Sequence, residues 1–373
     1  MLFPYIMYYN LFQDPSLGQL FENCFPNSLD TTIKFMTINE TSKVGLDSFI
    51  ITGDIKALWL RDSANQILPY TPYAAQDESL RQLFQGLIAR HAKSILIDPF
   101  ANAFNYNATV VAEGDNHQDD IRKPPMQPEV FEGKYELDSL LSFLKVSYWY
   151  YNQTRDLTFA YNEDWISAVD QVLVTIEMMM YVGQDLNNQP YSFQRVTNVA
   201  SDTLAINDGL GPPGLPSIGL SRSLFRPSDD AVTFPYNIPA NAMACVEIKS
   251  HLVELLSHIY RVDDIASIAH LKENALRIGN IICKSVNKVF SSSKATGQPL
   301  PYEIDGFGSS VLMDDANVPS LLSLPVLGAM STNSGLYQNT RRFVLSQNNP
   351  FFFQDRNSLF EGVGGPHKGK KRF

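Results

Sequence analysis

The stretch ESLRQLFQGLIARHAKSILI, residues 78–97, repeats its apolar side chains at three- and four-residue intervals, which is the pattern of an amphipathic α-helix. The side chains on that face are Leu80, Leu83, Phe84, Leu87 and Ile88. The same spacing predicts helices over residues 135–151 and 163–181. It continues from 240 to 290 with one break near 261–264, which predicts a turn between two antiparallel helices.

Long loops separate these helices. Residues 115–127, 207–227 and 298–315 are rich in Gly, Pro, Asn and Asp, and loops of this length usually carry function. After the last of them, Asn317-Val318-Pro319 is typical of a helix entry, with Asn317 as the cap. Helix pairs that alternate with such loops predict a single all-α toroid whose loops gather at one end.

The charge balance excludes nucleic acid as a partner. The chain of 373 residues has a formal net charge of −10 and a single basic run near its end, whereas phosphate binding needs a basic face. Residues 1–12 are apolar but too few to span a bilayer, and they make a poor signal peptide. Sequons for N-glycosylation begin at Asn39, Asn107 and Asn152, and they favour a secretory or extracellular location.

The cysteines and histidines show no metal-binding pattern. Cys24, Cys245 and Cys283 lie far apart and form no CxxC pair, so we expect neither a zinc site nor a disulfide framework. Cys245 and Cys283 fall in apolar helical stretches, which is typical of small buried side chains. The histidines form no HExxH motif, and the acidic residues lack the spacing of a calcium loop. We therefore expect no metal and no cofactor.

Acidic residues concentrate in four segments at loop–helix junctions. The segments are 59–62 with Trp59, Arg61 and Asp62, 136–138 with Glu136 and Asp138, 226–230 with Arg226, Asp229 and Asp230, and 314–317 with Asp314 and Asp315. Taken singly, each segment is more typical of helix capping than of chemistry. Glu136 and Asp138 are two positions apart, so on a helix they would point in different directions. Taken together, the segments are suited to sugar binding and acid catalysis. Trp59 offers an aromatic face, Arg61 a forked hydrogen-bond donor, and the aspartates paired carboxylates.

Paired carboxylates fit three chemistries, namely glycoside hydrolysis, metal binding and phosphoryl transfer. The sequence has no calcium loop, no Walker or kinase motif and no GxSxG elbow. Glycoside hydrolysis needs only two carboxylates and a pocket shaped for a sugar, so it is the chemistry that these residues favour.

Several blocks of the sequence resemble glycoside hydrolase family 125, in the order of that family. They are ITGDIKALWLRDSANQILPY (51–70), FEGKYELDSLL (131–141), SLFRPSDDAVTFPYNIPANA (223–242), EIDGFGSSVLMDDANVPSLLSLP (303–325), TRRFVLSQNNPFFF (340–353) and GVGGPH (362–367). The resemblance implies an (α/α)6 toroid that removes non-reducing α-1,6-linked mannose, with inversion and without a metal ion. Its partner would be an α-mannoside or a mannose-containing glycan.

The matching motifs also imply roles for individual residues. The RPSDD block implies that Asp229 or Asp230 is the general acid, and the sequence leaves both open. The WLRDS block implies that Trp59, Arg61 and Asp62 shape the mannose subsite. Further candidates for the same pocket are His117, Glu136, Asp138, Arg226 and Asp314.

The resemblance has a gap at its end. In the family, a helical stretch and a HES-type motif whose Glu is the general base follow the last block. Here a basic tail, residues 368–373, follows instead. The resemblance therefore implies a catalytic domain over 21–367, with a segment 1–20 outside it and a toroid incomplete at its C-terminal end. Two alternatives stay open: a non-catalytic mannoside-binding protein, and a fragment that does not fold alone.

We expect residues 1–373 to hydrolyse α-1,6-mannobiose much more slowly than a homologue that carries the base motif. Loss of one member of a general acid–base pair costs on the order of 10²–10⁴ in rate. Mannose release at saturating substrate measures this difference. A mannoside with a good leaving group should not restore the rate, whereas azide, which needs no deprotonation, should restore part of it. Equal rates for the chain and the homologue would point to a base elsewhere in this sequence.

Overall fold

The computed structural model describes residues 14–37, 46–109, 119–181, 189–259, 265–354 and 360–366, and these are predominantly helical. The α-helices are α1 (Pro15–Cys24), α2 (Asn27–Thr31), α3 (Leu60–Ile67), α4 (Thr71–Ala74), α5 (Glu78–Ile97), α6 (Leu137–Thr154), α7 (Glu163–Tyr181), α8 (Ile238–Ala244), α9 (Val253–Ser257), α10 (Ile265–Thr296) and α11 (Gly335–Val344). A π-helical segment, Cys245–Leu252, joins α8 to α9. Short 3-10 turns cover Leu68–Tyr70, Thr158–Tyr161 and Ala200–Asp202.

The predicted helices are present. Those over 78–97 and 163–181 have the predicted bounds, and the one over 135–151 begins two residues later and extends to Thr154. Helix α5 begins after Asp77, whose side chain accepts a hydrogen bond from the Leu80 backbone N–H. The turn predicted at 261–264 lies outside the described residues, but the helices on either side of it end at Ser257 and begin at Ile265.

Short strands accompany the helices, so the chain is not purely all-α. The strands are β1 (Ile33–Thr37), β2 (Asp47–Ile50), β3 (Leu58–Trp59), β4 (Ala103–Phe104), β5 (Ile121–Lys123), β6 (Val130–Glu132), β7 (Ser192–Gln194), β8 (Tyr236–Asn237), β9 (Glu303–Ile304), β10 (Ser310–Val311), β11 (Phe352–Gln354) and β12 (Glu361–Val363). They pair antiparallel in the orders β1-β2, β3-β4-β6, β5-β7, β8-β9-β10 and β11-β12. In the second of these sheets, Trp59 lies opposite Ala103 and Ala103 opposite Glu132, which brings the loops around them together.

Helix α6 is the centre of the core. Almost every residue from Leu137 to Tyr151 is buried, which marks a helix surrounded on all sides. It packs against α3, α4, α5, α7, α8 and the π-helical segment. None of the helices in the described part of the chain combines the length and apolarity needed to cross a bilayer.

The expectation that the cysteines form no disulfide is wrong, since Cys245 and Cys283 are joined by one. The π-helical segment and α10 run antiparallel, and Gly279, one turn before Cys283, faces Lys249, one turn after Cys245. A Cβ on Gly279 would lie 3.0 Å from the Lys249 Cα, so only glycine permits this approach. The two cysteine Cα atoms are consequently 4.8 Å apart, within disulfide range. Cys24 remains free and exposed, as the odd number of cysteines required.

The helix entry predicted at Asn317-Val318-Pro319 is also wrong. Residues 316–319 are bends and 321–328 are turns. The Asp315 carboxylate accepts the backbone and side-chain N–H groups of Asn317, at 2.9 and 2.7 Å, which fixes a local turn instead of a helix. Asp314 stabilises the turn that follows, because its two carboxylate oxygens accept the N–H groups of Leu321 and Leu322.

We expect the Cys245→Ser/Cys283→Ser double variant to unfold more easily than the wild type. The disulfide closes a separation of 38 residues, which restricts the unfolded chain by about 4 kcal/mol in the chain-entropy model. Urea unfolding measures the difference, and Cys24→Ser is the matched control, for which we expect no change. Three titratable thiols in the unreduced wild-type protein would contradict the cross-link.

Candidate active site

Arg61, in the first turn of α3, gathers carboxylates from three parts of the chain. Its Nη1 donates to Glu136 Oε2 at 2.6 Å and to Asp138 Oδ2 at 3.2 Å. Its Nη2 lies 3.3 Å from Asp62 Oδ2 and 3.7 Å from Asp229 Oδ1. These five residues are called the Arg61 cluster below. Segments that the sequence suggested as separate helix caps therefore meet at one guanidinium.

Glu136 and Asp138 reach the same guanidinium because only one of them is in a helix. Glu136 is the N-cap residue of α6 with an extended backbone, and Asp138 lies in the first helical turn. The expectation that they point in different directions assumed a helix at both positions, and it is wrong. Both carboxylates are completely buried, so the Arg61 charge is what balances them.

The structure distinguishes Asp229 from Asp230. The Asp229 side chain is 30% exposed and lies at the Arg61 cluster, whereas Asp230 is 1% exposed. Asp229 has a left-handed backbone, with φ of 66°. Its backbone carbonyl accepts a hydrogen bond from Lys134 Nζ at 2.9 Å, and its Oδ1 accepts one from Asn102 Nδ2 at 3.2 Å. Of the two aspartates, Asp229 is the one whose carboxyl a ligand can reach.

The pKa values of the cluster favour a proton on Asp229 and Glu136. Burial raises the pKa of Asp229, and the nearby Glu132 raises it further, against the opposing charges of Arg61 and Lys134. Burial also raises the pKa of Glu136 well above its ordinary value, and Asp229 and Asp138 add to this effect. One guanidinium cannot balance all of these carboxylates in the ionised form, so protons are retained at higher pH than in water.

A second charge network lies behind Asp229, and little in the local sequence pattern indicates it. Lys134 donates to Asp202 Oδ1 at 2.6 Å and lies 3.3 Å from Glu132 Oε1. Arg195 donates to Glu132 Oε1 and Asp202 Oδ1, both at 3.0 Å, and pairs with Asp120. Burial alone would raise the pKa of Glu132, but Lys134 and Arg195 lower it to about 2. Glu132 is therefore an anion beside the Arg61 cluster.

Asn102 connects this network to the Arg61 cluster. Its Nδ2 lies within hydrogen-bond distance of Glu132 Oε2 (3.0 Å), Glu136 Oε1 (3.3 Å) and Asp229 Oδ1 (3.2 Å). Sequence reasoning missed Asn102, Glu132, Lys134, Arg195 and Asp202 as contributors to the site. Glu132 and Lys134 do belong to the block at 131–141, which was a usable signal, whereas nothing local marks the other three.

The side chains of Arg226 and Asp314 make no hydrogen bond or ion pair with the Arg61 cluster among the described contacts, and Arg226 meets it only through its backbone carbonyl, which accepts the Asp229 N–H. The Arg226 guanidinium pairs with Glu303 of β9 through Nε at 2.5 Å and Nη2 at 3.1 Å, and both residues are buried. Glu303 also accepts the backbone N–H groups of Thr233 and Phe234. Arg226 thus fixes the loop that carries Asp229. Asp314 holds the turn at 321–322, and burial raises its pKa to about 7.

The two remaining candidates are Trp59 and His117. Trp59 lies edge-on to Phe131, with ring centroids 5.3 Å apart, and is 6% exposed. Its indole Nε1 is buried and has no hydrogen-bond partner among the described residues. His117 lies outside the described residues. Within the described ranges, His, Cys, Asp and Glu form no group of three or more arranged to hold a metal ion.

A family model described as metal-independent alpha-mannosidase (GH125) matches residues 14–373. The chain belongs to glycoside hydrolase family 125. This is a family of α-mannosidases, which places the Arg61 cluster in a glycosidase fold. Family membership agrees with the resemblance carried by the sequence blocks.

Two similar proteins extend the comparison. The Meiotically up-regulated gene 157 protein of Schizosaccharomyces pombe is 40% identical over 367 residues, which cover 96% of this chain and 69% of that protein. A metal-independent α-mannosidase of Streptococcus pneumoniae, solved in a non-productive complex with α-1,6-mannobiose, is 34% identical with a TM-score of 0.82. That match covers 95% of this chain and 77% of the bacterial one.

We expect Arg61→Met to destabilise the fold by about 3–5 kcal/mol, because it leaves Glu136 and Asp138 buried without their cation. Without the guanidinium the pKa of both carboxyls rises further. A raised pKa in the folded state gives stability at low pH that is lost as the pH rises, so the deficit should be larger at about pH 8 than at about pH 5. Urea unfolding at both pH values measures it.

Arg277→Met is the matched control for this test. The side chains of Arg277 and Glu177 form an ion pair, and they are 45% and 30% exposed. We expect its loss to cost no more than about 1 kcal/mol, with little dependence on pH. Similar losses for the two variants would show that the Arg61 cluster does not depend on a buried charge balance.

Proposed function

We propose that this protein binds the non-reducing terminal mannose of an α-1,6-linked mannoside at the Arg61 cluster, with Asp229 as the general acid of an inverting hydrolysis. The observation that carries the proposal is the Asp229 carboxyl, which is partly exposed, lies beside Arg61 and has a raised pKa. Membership of family 125 and the likeness to an α-mannosidase solved with α-1,6-mannobiose support this substrate. We assign the helices to an (α/α)6 toroid with the cluster at its loop end.

A general acid must hold its proton at the working pH and release it to the leaving oxygen. Burial and the neighbouring Glu132 anion disfavour the ionised form of Asp229 and raise the pKa of its carboxyl, which is the direction that a general acid needs. After proton transfer the new carboxylate accepts a hydrogen bond from Asn102 Nδ2 and lies 3.7 Å from Arg61 Nη2. These two groups therefore stabilise the form of Asp229 that the reaction produces.

Sugar recognition uses the polar groups around this acid. The Asp62 side chain is 37% exposed and can accept hydrogen bonds from mannose hydroxyls while Arg61 holds it. In an inverting enzyme a second carboxylate activates water on the opposite face, roughly 6.5–9.5 Å from the acid. We assign only sugar recognition and protonation to the described residues, and we assign none of them the role of the water-activating carboxylate.

The assignment of the acid predicts a titration that does not require turnover. In wild-type protein with ¹³C-labelled Asp, the carboxyls of Asp138, Asp229 and Asp314 should all titrate above the ordinary Asp range, and one of these signals should disappear in Asp229→Asn. Asp230→Asn is the matched control and should retain that signal. Any hydrolysis of α-1,6-mannobiose that the chain supports should fall on the order of 10²–10⁴-fold in Asp229→Asn.

Calorimetric titration with α-1,6-mannobiose tests binding separately. Asp229→Asn should bind the disaccharide with nearly wild-type affinity, because the amide keeps the shape of the site. Asp62→Ala should weaken binding. Binding by the wild type without any loss in Asp62→Ala would place the mannoside elsewhere, and absence of binding to folded protein would refute the proposed function.

A further inference from the structure

The triplet Asn107-Ala108-Thr109 lies on the surface just beyond β4, the central strand of the sheet that carries Trp59 and Glu132. All three residues of the triplet are exposed. The triplet is an acceptor sequence for N-linked oligosaccharide, and the middle position is not proline. We propose that Asn107 is a site of N-glycosylation and that the chain passes through an oxidising secretory compartment.

Arg90, which lies beneath the triplet, anchors the residue that precedes it. Arg90 of α5 donates through Nη1 to the Tyr106 backbone carbonyl at 2.9 Å, and it forms an ion pair with Asp47. The Arg90 guanidinium also lies over the rings of Phe49 and Tyr106. Because the residue before Asn107 is anchored in this way, the next three residues are held at the surface, where an oligosaccharide has room in solvent.

The local hydrogen bonds are compatible with the modification. Asn107 Oδ1 accepts the Thr109 backbone N–H at 2.9 Å and the Thr109 hydroxyl at 2.8 Å. Glycosylation forms a bond between Asn107 Nδ2 and C1 of the first sugar. The C1–O bond to the lipid diphosphate donor breaks, the lipid diphosphate leaves as an anion, and Nδ2 loses one proton. The side-chain carbonyl oxygen is unchanged, so both hydrogen bonds to Thr109 remain.

The disulfide supplies the independent observation on compartment. A bridge between Cys245 and Cys283 forms and persists in oxidising surroundings, and it is rare in the cytosol. N-linked oligosaccharide is attached to chains that enter such a compartment. The bridge and the exposed triplet lie on separate elements, and both require the same location.

The other two sequons support the proposal less well. Asn152 is half-buried in the last turn of α6, and the Thr154 hydroxyl of that triplet donates to the Tyr150 backbone carbonyl. Asn152 is thus less exposed than Asn107 and offers a glycan less room. Asn39 lies outside the described residues. Asn107 is therefore the acceptor that the fold favours.

The test is expression of residues 1–373 behind a secretion leader in a eukaryotic host, followed by peptide mapping. Enzymatic deglycosylation in heavy-oxygen water converts a glycosylated Asn to labelled Asp, which marks occupied sites. We expect the majority of chains to carry the label at 107. Thr109→Ala should abolish it, whereas Thr109→Ser, which retains both the hydroxyl and the acceptor sequence, should keep it.

Peptides from the total cell extract are mapped as well as those from the secreted fraction, so that a variant that folds poorly and stays in the cell is still measured. Folded wild-type protein with the Cys245–Cys283 bridge formed but with unmodified Asn107 would overturn the proposal. Occupancy at Asn152 without occupancy at Asn107 would overturn it too. The readout does not depend on mannoside binding, so failure of the proposed function would leave it unaffected.

Discussion

The buried guanidinium of Arg61 is the constraint on which the site depends. It faces the carboxyls of Asp62, Glu136, Asp138 and Asp229, so one cation meets four acids, and two of them, Glu136 and Asp138, are completely buried. Burial raises the pKa values of Glu136, Asp138 and Asp229, and the excess of carboxyls over cations in the cluster adds to this effect. The acid chemistry that a glycosidase needs thus follows from burial together with the ratio of charges in the cluster.

The sequence predicted what is local and missed what depends on packing. Helices over 78–97 and 163–181 follow from apolar spacing within a single segment, so their bounds were predicted correctly. The contact between Arg61 and Glu136 spans 75 positions, and that between Arg226 and Glu303 spans 77. No spacing rule relates residues that far apart. The family resemblance supplied candidates at these positions, but their partners became visible only in the fold.

The same limit explains the errors over the disulfide and the 317–319 segment. Cys245 and Cys283 are distant in sequence, and their pairing depends on a glycine, Gly279, that lets two helices approach closely. At 317–319, a local pattern typical of a helix entry was outweighed by the Asp314 carboxylate, which binds the N–H groups of a turn further along the chain. In both cases the prediction rested on the local sequence pattern, and contacts between residues distant in sequence determined the structure instead.

The backbone supports the proposal that Asp229, and not Asp230, is the general acid. Asp229 has a left-handed conformation, which is uncommon for a residue with a side chain and persists only where its surroundings hold it. Its N–H donates to the Arg226 carbonyl, the Arg226 N–H donates to the Asp230 carbonyl, and Lys134 holds the Asp229 carbonyl. Arg226 is fixed in turn by Glu303. The exposed carboxyl is therefore positioned by buried ion pairs that need not touch a ligand, and substitutions in those pairs should move the acid without removing it.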